Sequence, residues 1–170
     1  MSRYDLEEMI ERQVPRLRRF ARGLLPDAEE ADDLVQSCLE VAWRRAHEWH
    51  PETDLRAWLF SIMHNLNANM GQGPFRPADG GSTTQGYRDP ASFGQHSNVD
   101  LGAVQQGLAH LAQDHREVLL LVCLEEMNYE QVADVLGAPV GTVIARLHRA
   151  REHLRRWMIR ERGPSLRRVK

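Results

Sequence analysis

The stretch NYEQVADVLGAPVGTVIARLHRAREHLRR, residues 128–156, constrains the fold of this chain more than any other. Asn128 is a helix-capping residue type, and Gln131 stands three positions on, where its side chain can return a hydrogen bond to the cap. Val132, Ala133, Val135 and Leu136 give the helix that follows an apolar face, and Gly137 suits the left-handed conformation that ends many helices. Pro139 pushes Ala138 out of the α region, so a second helix must restart near Val140. That helix keeps Val143, Leu147, Ala150 and Leu154 on one face at spacings of three and four. Arg146, Arg149, Arg151, Arg155 and Arg156 then fall mainly on its other faces. Two helices, a tight turn and arginines on the second match the helix-turn-helix pattern that enters a DNA major groove. The same pattern also fits a hairpin in an ordinary helical bundle whose arginines are only a solvated face.

Charge distribution favours the first reading. The formal net charge is −2, but residues 1–70 hold 13 acidic and 9 basic residues, whereas residues 146–170 hold 10 basic and 2 acidic. A concentrated positive end is the electrostatic footprint of a protein that grips a phosphate backbone. Other classes find no support. No apolar run approaches the roughly 18 residues of a membrane span, and MSRYDLEEMIERQ is acidic where a signal peptide is apolar. A soluble cytoplasmic protein with no direct membrane insertion is expected. Cys38 and Cys123 lie in apolar helical contexts, so buried free thiols are expected rather than a disulfide. His148 and His153, five apart, point to different helix faces, and no CxxC spacing occurs, so no metal site is expected. With no Ser/His/Asp order, Gly-rich phosphate loop or HExxH motif, the chain offers no catalytic residues, cofactor site or small-molecule substrate site.

Along the chain, Leu6, Met9, Ile10, Val14, Leu17, Phe20, Leu24 and Leu25 keep helical spacing, with Pro15 expected to kink or restart the helix. Asp27 caps the next helix, with Glu30 at the reciprocal position. Ala31, Leu34, Val35, Cys38, Leu39, Ala42 and Ala46 carry that helix to about Trp49. Asp32, Asp33, Gln36 and Glu40 line the exposed side of its first half. HEWHPET, residues 47–53, is a loop. Asp54 caps a third helix whose core face is Leu55, Trp58, Leu59, Ile62, Met63 and Leu66, with Arg56, Ser61, His64 and Asn65 reaching solvent. Residues 71–100 have Gly, Pro or Ser at 12 of 30 positions and no periodicity, which reads as a flexible linker. Beyond it, Leu101, Val104, Leu108 and Leu111 align on one helix, Asp114 and Glu117 form a capping box for the next, and the helix-turn-helix follows. RERGPSLRRVK, residues 160–170, reads as a frayed basic tail. The fold class is all-α: two small helical domains, 1–70 and 101–170, joined by a linker at 71–100.

Two blocks together resemble one family. PRLRRFARGLL, DAEEADDLVQSCLEVAWRRAHEW and DLRAWLFSIMHNL in the first, and HREVLLLVCLEEMNYEQVADVLGAPVGTVIARLHRAREHL in the second, are similar to bacterial RNA polymerase sigma factors of the extracytoplasmic-function (group IV) type. The resemblance covers most of the chain outside the linker and both tips. It implies a region 2 domain followed by a region 4 domain, and an alternative sigma factor that directs promoter-specific transcription initiation in a stress response. It implies core RNA polymerase (β′ clamp helices and β subunit), promoter DNA and an anti-sigma factor as partners. The DDLVQ helix would dock on the clamp helices, placing Asp33, Leu34, Gln36 and Leu39 at or near that interface, although Leu34 and Leu39 equally suit a core.

Melting of the −10 element would fall to the loop of residues 47–53 and the helix after it. There Trp49 or His50 could stack on an unpaired base, and Glu52, Thr53, Arg56 and Asn65 could supply polar contacts. Trp49 equally suits a core anchor. The −35 element would be read by the helix after Gly141. Arg146, Arg149 and Arg151 match basic positions of the family motif, Thr142 lies at the helix start where a phosphate is favoured, and His148 can reach a base or a phosphate. Two positions depart from the family. Ile144 and Ala145 stand where a basic or polar pair is common; neither can hydrogen-bond a guanine edge, which leaves apolar contact with a thymine methyl. His64 replaces a frequent arginine. These departures give some weight to an alternative, a sigma-like decoy that sequesters an anti-sigma factor, though no receiver-domain pattern accompanies them. A helix-turn-helix transcriptional regulator is a third reading, which would need a dimerisation face, and none is evident.

Overall fold

The computed structural model describes residues 3–70 and 101–161, and every regular element among the described residues is helical. In chain order these are α1 (Arg3–Leu24), α2 (Ala28–Arg44), a 3-10 turn (Ala46–Glu48), α3 (Leu55–Met70), α4 (Leu101–Ala109), α5 (Gln113–Cys123), α6 (Tyr129–Leu136) and α7 (Val140–Glu161). The segment expected to be a linker, 71–100, and the tail from 162 onward lie outside the described residues.

Local chemistry sets most helix ends. Asp27 accepts from the amides of Glu29 and Glu30 at 2.8 and 3.2 Å and starts α2. Asp54 accepts from the Arg56 and Ala57 amides at 2.9 and 3.4 Å and starts α3. The capping box before α6 is complete, with the Gln131 amide donating to Asn128 Oδ1 at 2.8 Å and the Asn128 amide donating to Gln131 Oε1 at 3.0 Å. Gly137 ends α6 at φ 59°, in the left-handed region that glycine enters without steric cost.

Several expectations are corrected. Pro15 lies inside α1 and the helix does not restart there. The second helix stops at Arg44 rather than near Trp49, and the 3-10 turn follows, closed by Arg45 donating to Glu48 at 2.6 and 2.8 Å. No capping box joins Asp114 to Glu117. α5 begins after Ala112 without a side-chain cap, Asp114 accepts from the His115 amide, and Glu117 is buried. Cys38 is buried as expected, but Cys123 is exposed. Burial pushes the Cys38 thiol up to about 12, and its Sγ donates to the Leu59 carbonyl, which leaves it unreactive. Phe60 and Asn67 join the buried face of α3, whereas Trp58 and Leu66 are only half-buried.

The two helical blocks share one buried core that runs from Leu6 to Ala150. α1, α2 and α3 pack on one another, as do α5, α6 and α7, and the blocks meet where α1 crosses α5 and α3 crosses α6. Gly23 permits the α1–α5 approach, since a Cβ there would lie 3.0 Å from Leu120 Cδ2. Polar contacts frame this seam. Arg116 on α5 donates to the Leu24 carbonyl at 2.7 Å, and Arg19 on α1 reaches Glu125 at 3.3 Å. Gln131 Nε2 donates to Asp54 Oδ2 at 3.2 Å.

Candidate nucleic-acid interface

α2 turns Asp32, Asp33, Gln36 and Glu40 outward because Ala31, Leu34, Val35, Cys38 and Ala42 are drawn into the core. Asp33 and Gln36 therefore share an exposed acidic face. Leu34 does not belong to that face: it is 0% exposed and serves the core. Leu39 is half-buried and packs against the same core, with part of its side chain accessible.

The loop after the 3-10 turn separates into one anchor and an exposed tip. Trp49 is only 7% exposed, so it anchors the loop in the core and offers no stacking surface in this arrangement. Its Nε1 is buried without a hydrogen-bond partner among the described residues. His50, Glu52 and Thr53 are exposed. The His50 carbonyl accepts from the Thr53 amide at 2.9 Å and from Thr53 Oγ1 at 2.7 Å, which folds the tip into a turn.

Two residues of α3 that were expected to reach solvent turn instead toward the other block. Arg56 is half-buried, and its Nη1 donates to the Glu125 carbonyl at 2.9 Å. His64 is half-buried as well, and its Nδ1 lies 2.9 Å from Glu117 Oε1. The Glu117 hydrogen bond raises the imidazole above its ordinary value; burial and the nearby Arg146 guanidinium oppose this. Asn65 is exposed, but it stands nine positions after Arg56, roughly 13 Å along a helix. His50, Glu52 and Thr53 are thus brought together; Arg56 lies behind them in the seam and Asn65 lies apart.

On α7 the core takes Val143, Leu147 and Ala150, and this fixes the rotation of the helix. Ile144, Ala145, His148, Arg149 and Arg151 are exposed. Among the described residues, neither Arg149 nor Arg151 has an ion-pair partner, so both guanidinium groups are available to an anion. Arg146 is drawn aside, half-buried with its Nε 3.5 Å from Asp114 Oδ2. Thr142 is half-buried, and its amide donates to the Pro139 carbonyl at 2.9 Å, so that amide is not open to a phosphate.

Glu117, Glu125 and Arg116 were not singled out from the sequence as seam residues. Glu117 carried a signal, since it lies three, four and seven positions before Leu120, Leu121 and Leu124 and therefore shares their face. Glu125 carried none, because its burial depends on a turn whose shape follows from tertiary packing.

Residues 10–64 match the Sigma2 domain of PhyR, and residues 101–154 match Sigma-70, region 4. The ECF RNA polymerase sigma factor EcfG of Rhodopseudomonas palustris is 34% identical over 150 residues, covering 88% of this chain and 83% of that protein. The structure of the sigma factor RpoE in complex with the anti-sigma factor NepR from Bartonella quintana superposes with a TM-score of 0.73 at 29% identity, covering 91% of this chain and 96% of that one. CnrH in complex with the cytosolic domain of CnrY superposes with a TM-score of 0.69 at 25% identity, covering 92% and 89%. With two sigma domains matched in order, and more than four-fifths of a curated relative covered at this identity, the chain belongs to the extracytoplasmic-function (ECF) family of RNA polymerase sigma factors.

Proposed function

We propose that the chain joins core RNA polymerase as its promoter-specificity subunit, with the block of residues 1–70 and the block of residues 101–170 as separate readers. Asp33, Gln36 and the accessible part of Leu39 dock α2 on the β′ clamp helices, where acidic charge facing a basic partner supplies orientation and on-rate. His50, Glu52 and Thr53 engage the unpaired strand of the −10 element. Arg149, Arg151 and His148 hold α7 on the −35 duplex. The observation that carries this reading is the exposed basic face of α7, the second helix of a helix-turn-helix whose first helix is capped at both ends.

The seam adds a condition. Arg56 and His64 are committed to Glu125 and Glu117, so the closed packing is a resting state, and the blocks separate when polymerase is bound. An anti-sigma factor, the kind of partner recorded with the similar RpoE, holds the chain in an inactive form.

Mixing the chain with core polymerase and a promoter library, then sequencing the transcripts, tests the reading. Initiation from a shared two-element promoter is expected. Binding of an anti-sigma factor with no initiation from any promoter would mark a decoy instead. Arg149→Ala should weaken promoter binding on all sequences and reduce the slope of log affinity against log salt by about one.

A further inference from the structure

Ile144 stands 47% exposed at the start of α7, beside exposed Ala145. Val143 before it and Leu147 after it are buried, so the core fixes the helix rotation and holds Ile144 outward. His148 lies one turn beyond Ile144, and Arg149 one turn beyond Ala145, both exposed. The outward face of the second and third turns is therefore a pair of hydrocarbon side chains followed by an imidazole and a guanidinium. The seam between the blocks covers none of the four.

An apolar patch of this kind needs an occupant, and its surroundings indicate which. It is two side chains wide and bordered one turn on by His148 and Arg149, with Arg151 in the same turn as these; neither arginine has an ion-pair partner among the described residues. That border favours a polyanion over a protein groove. Across the base edges of a major groove, the apolar group presented is the C5 methyl of thymine. Ile144 and Ala145 have no donor for guanine O6 or N7 and no acceptor for cytosine N4.

We infer that Ile144, flanked by Ala145, is a specificity-determining residue that selects an A·T pair in the −35 element by seating the thymine methyl. The inference rests on α7 being the −35 reader. Arg149 and Arg151 supply grip, and the selectivity at this base step comes from hydrocarbon contact.

Thymine and deoxyuridine differ at that position only by the methyl group, which allows a direct test. Holoenzyme reconstituted with the full chain selects its −35 element from a randomised library with a fixed −10 element. Each selected thymine is then replaced by deoxyuridine. At one step the replacement should weaken −35-dependent open-complex formation by about fourfold, as expected for one methyl-sized group leaving an apolar contact. Ile144→Ala should abolish that sensitivity, and Ile144→Arg should move the preference at the same step to G·C. Unchanged thermal unfolding of both variants verifies the fold. A selected element without an A·T pair, or an equal response of wild type and Ile144→Ala to methyl loss at every step, overturns the inference while leaving promoter-specific initiation intact. Unaltered promoter selection by Ile144→Ala together with weaker capture by an anti-sigma factor overturns it too and assigns the patch to a protein partner. Failure of the wild-type holoenzyme to initiate at any promoter overturns the specificity-subunit reading, and this inference with it.

Discussion

His64 meets Glu117, 53 positions away in sequence, across the seam between the blocks. The Glu117 hydrogen bond raises the imidazole in the folded chain, so the folded form holds its proton more tightly than the unfolded form. The stabilisation is therefore complete below the ordinary histidine value of about 6.5, and it is lost as pH rises through the elevated folded value. His64 faces the Glu117 carboxylate and, on α7, the Arg146 guanidinium, whose partner is Asp114. The difference in urea midpoint between wild type and His64→Gln should be largest in mild acid and shrink toward alkaline pH; a difference independent of pH would contradict this. Sequence spacing placed His64 on α3 correctly and misjudged what it faces. Periodicity assigns a residue to a helix face, but it does not say which faces a second block will cover. The same limit explains Arg56 and Glu117, whereas Trp49 was ambiguous because an aromatic residue beside a loop suits both a core anchor and a stacking platform.

Among the elements, α5 shows how a helix without a side-chain cap is integrated. Arg116, in its first turn, donates to the carbonyls of Leu108 and Ala109 at the end of α4, of Leu111 just beyond it, and of Leu24 at the end of α1. One guanidinium thereby ties two helix ends together, supplying the Leu24 carbonyl and adding a second donor to the Leu108 carbonyl, which already accepts from the Leu111 amide. Arg116→Ala should lower unfolding stability by about 2–4 kcal/mol in urea titration, because partly buried carbonyls lose their donor. The α5–α6 turn carries a different stress: Glu126 sits at φ 54°, a left-handed conformation that costs a side-chain-bearing residue roughly 1 kcal/mol. Glu126→Gly should relieve it and raise stability by up to about 1 kcal/mol, read as a higher melting temperature. Asn128, Gln131 and Gly137 were legible in advance because caps and left-handed stops depend on a few adjacent residues. The end of α2 was not. The apolar stripe continues through Ala46, and the 3-10 turn with its Arg45–Glu48 pair is a local choice that periodicity does not encode.

For the whole molecule, the all-α class and the order of the blocks were readable from hydrophobic spacing and from the two motif sets. Their closed packing was not readable, since it depends on contacts such as Gly23 against Leu120 and Arg19 against Glu125. That packing gives the molecule its proposed logic. The basic face of α7 and the acidic face of α2 are exposed, while Arg56 and His64 are held in the seam. The proposed contact of Arg56 with the −10 element would require the blocks to part, and the 30 residues between Met70 and Leu101 could span roughly 100 Å if fully extended. A distance between the blocks tests this most directly. Spin labels at Arg18→Cys on α1 and Glu130→Cys on α6, both exposed positions, can be placed in a Cys123→Ser background; buried Cys38, with its thiol pushed up to about 12, will not compete. The free chain should give one narrow short distance, and binding of core polymerase should replace it with one longer by tens of ångströms. The same short distance in the free chain and in a transcribing holoenzyme would contradict the closed resting state.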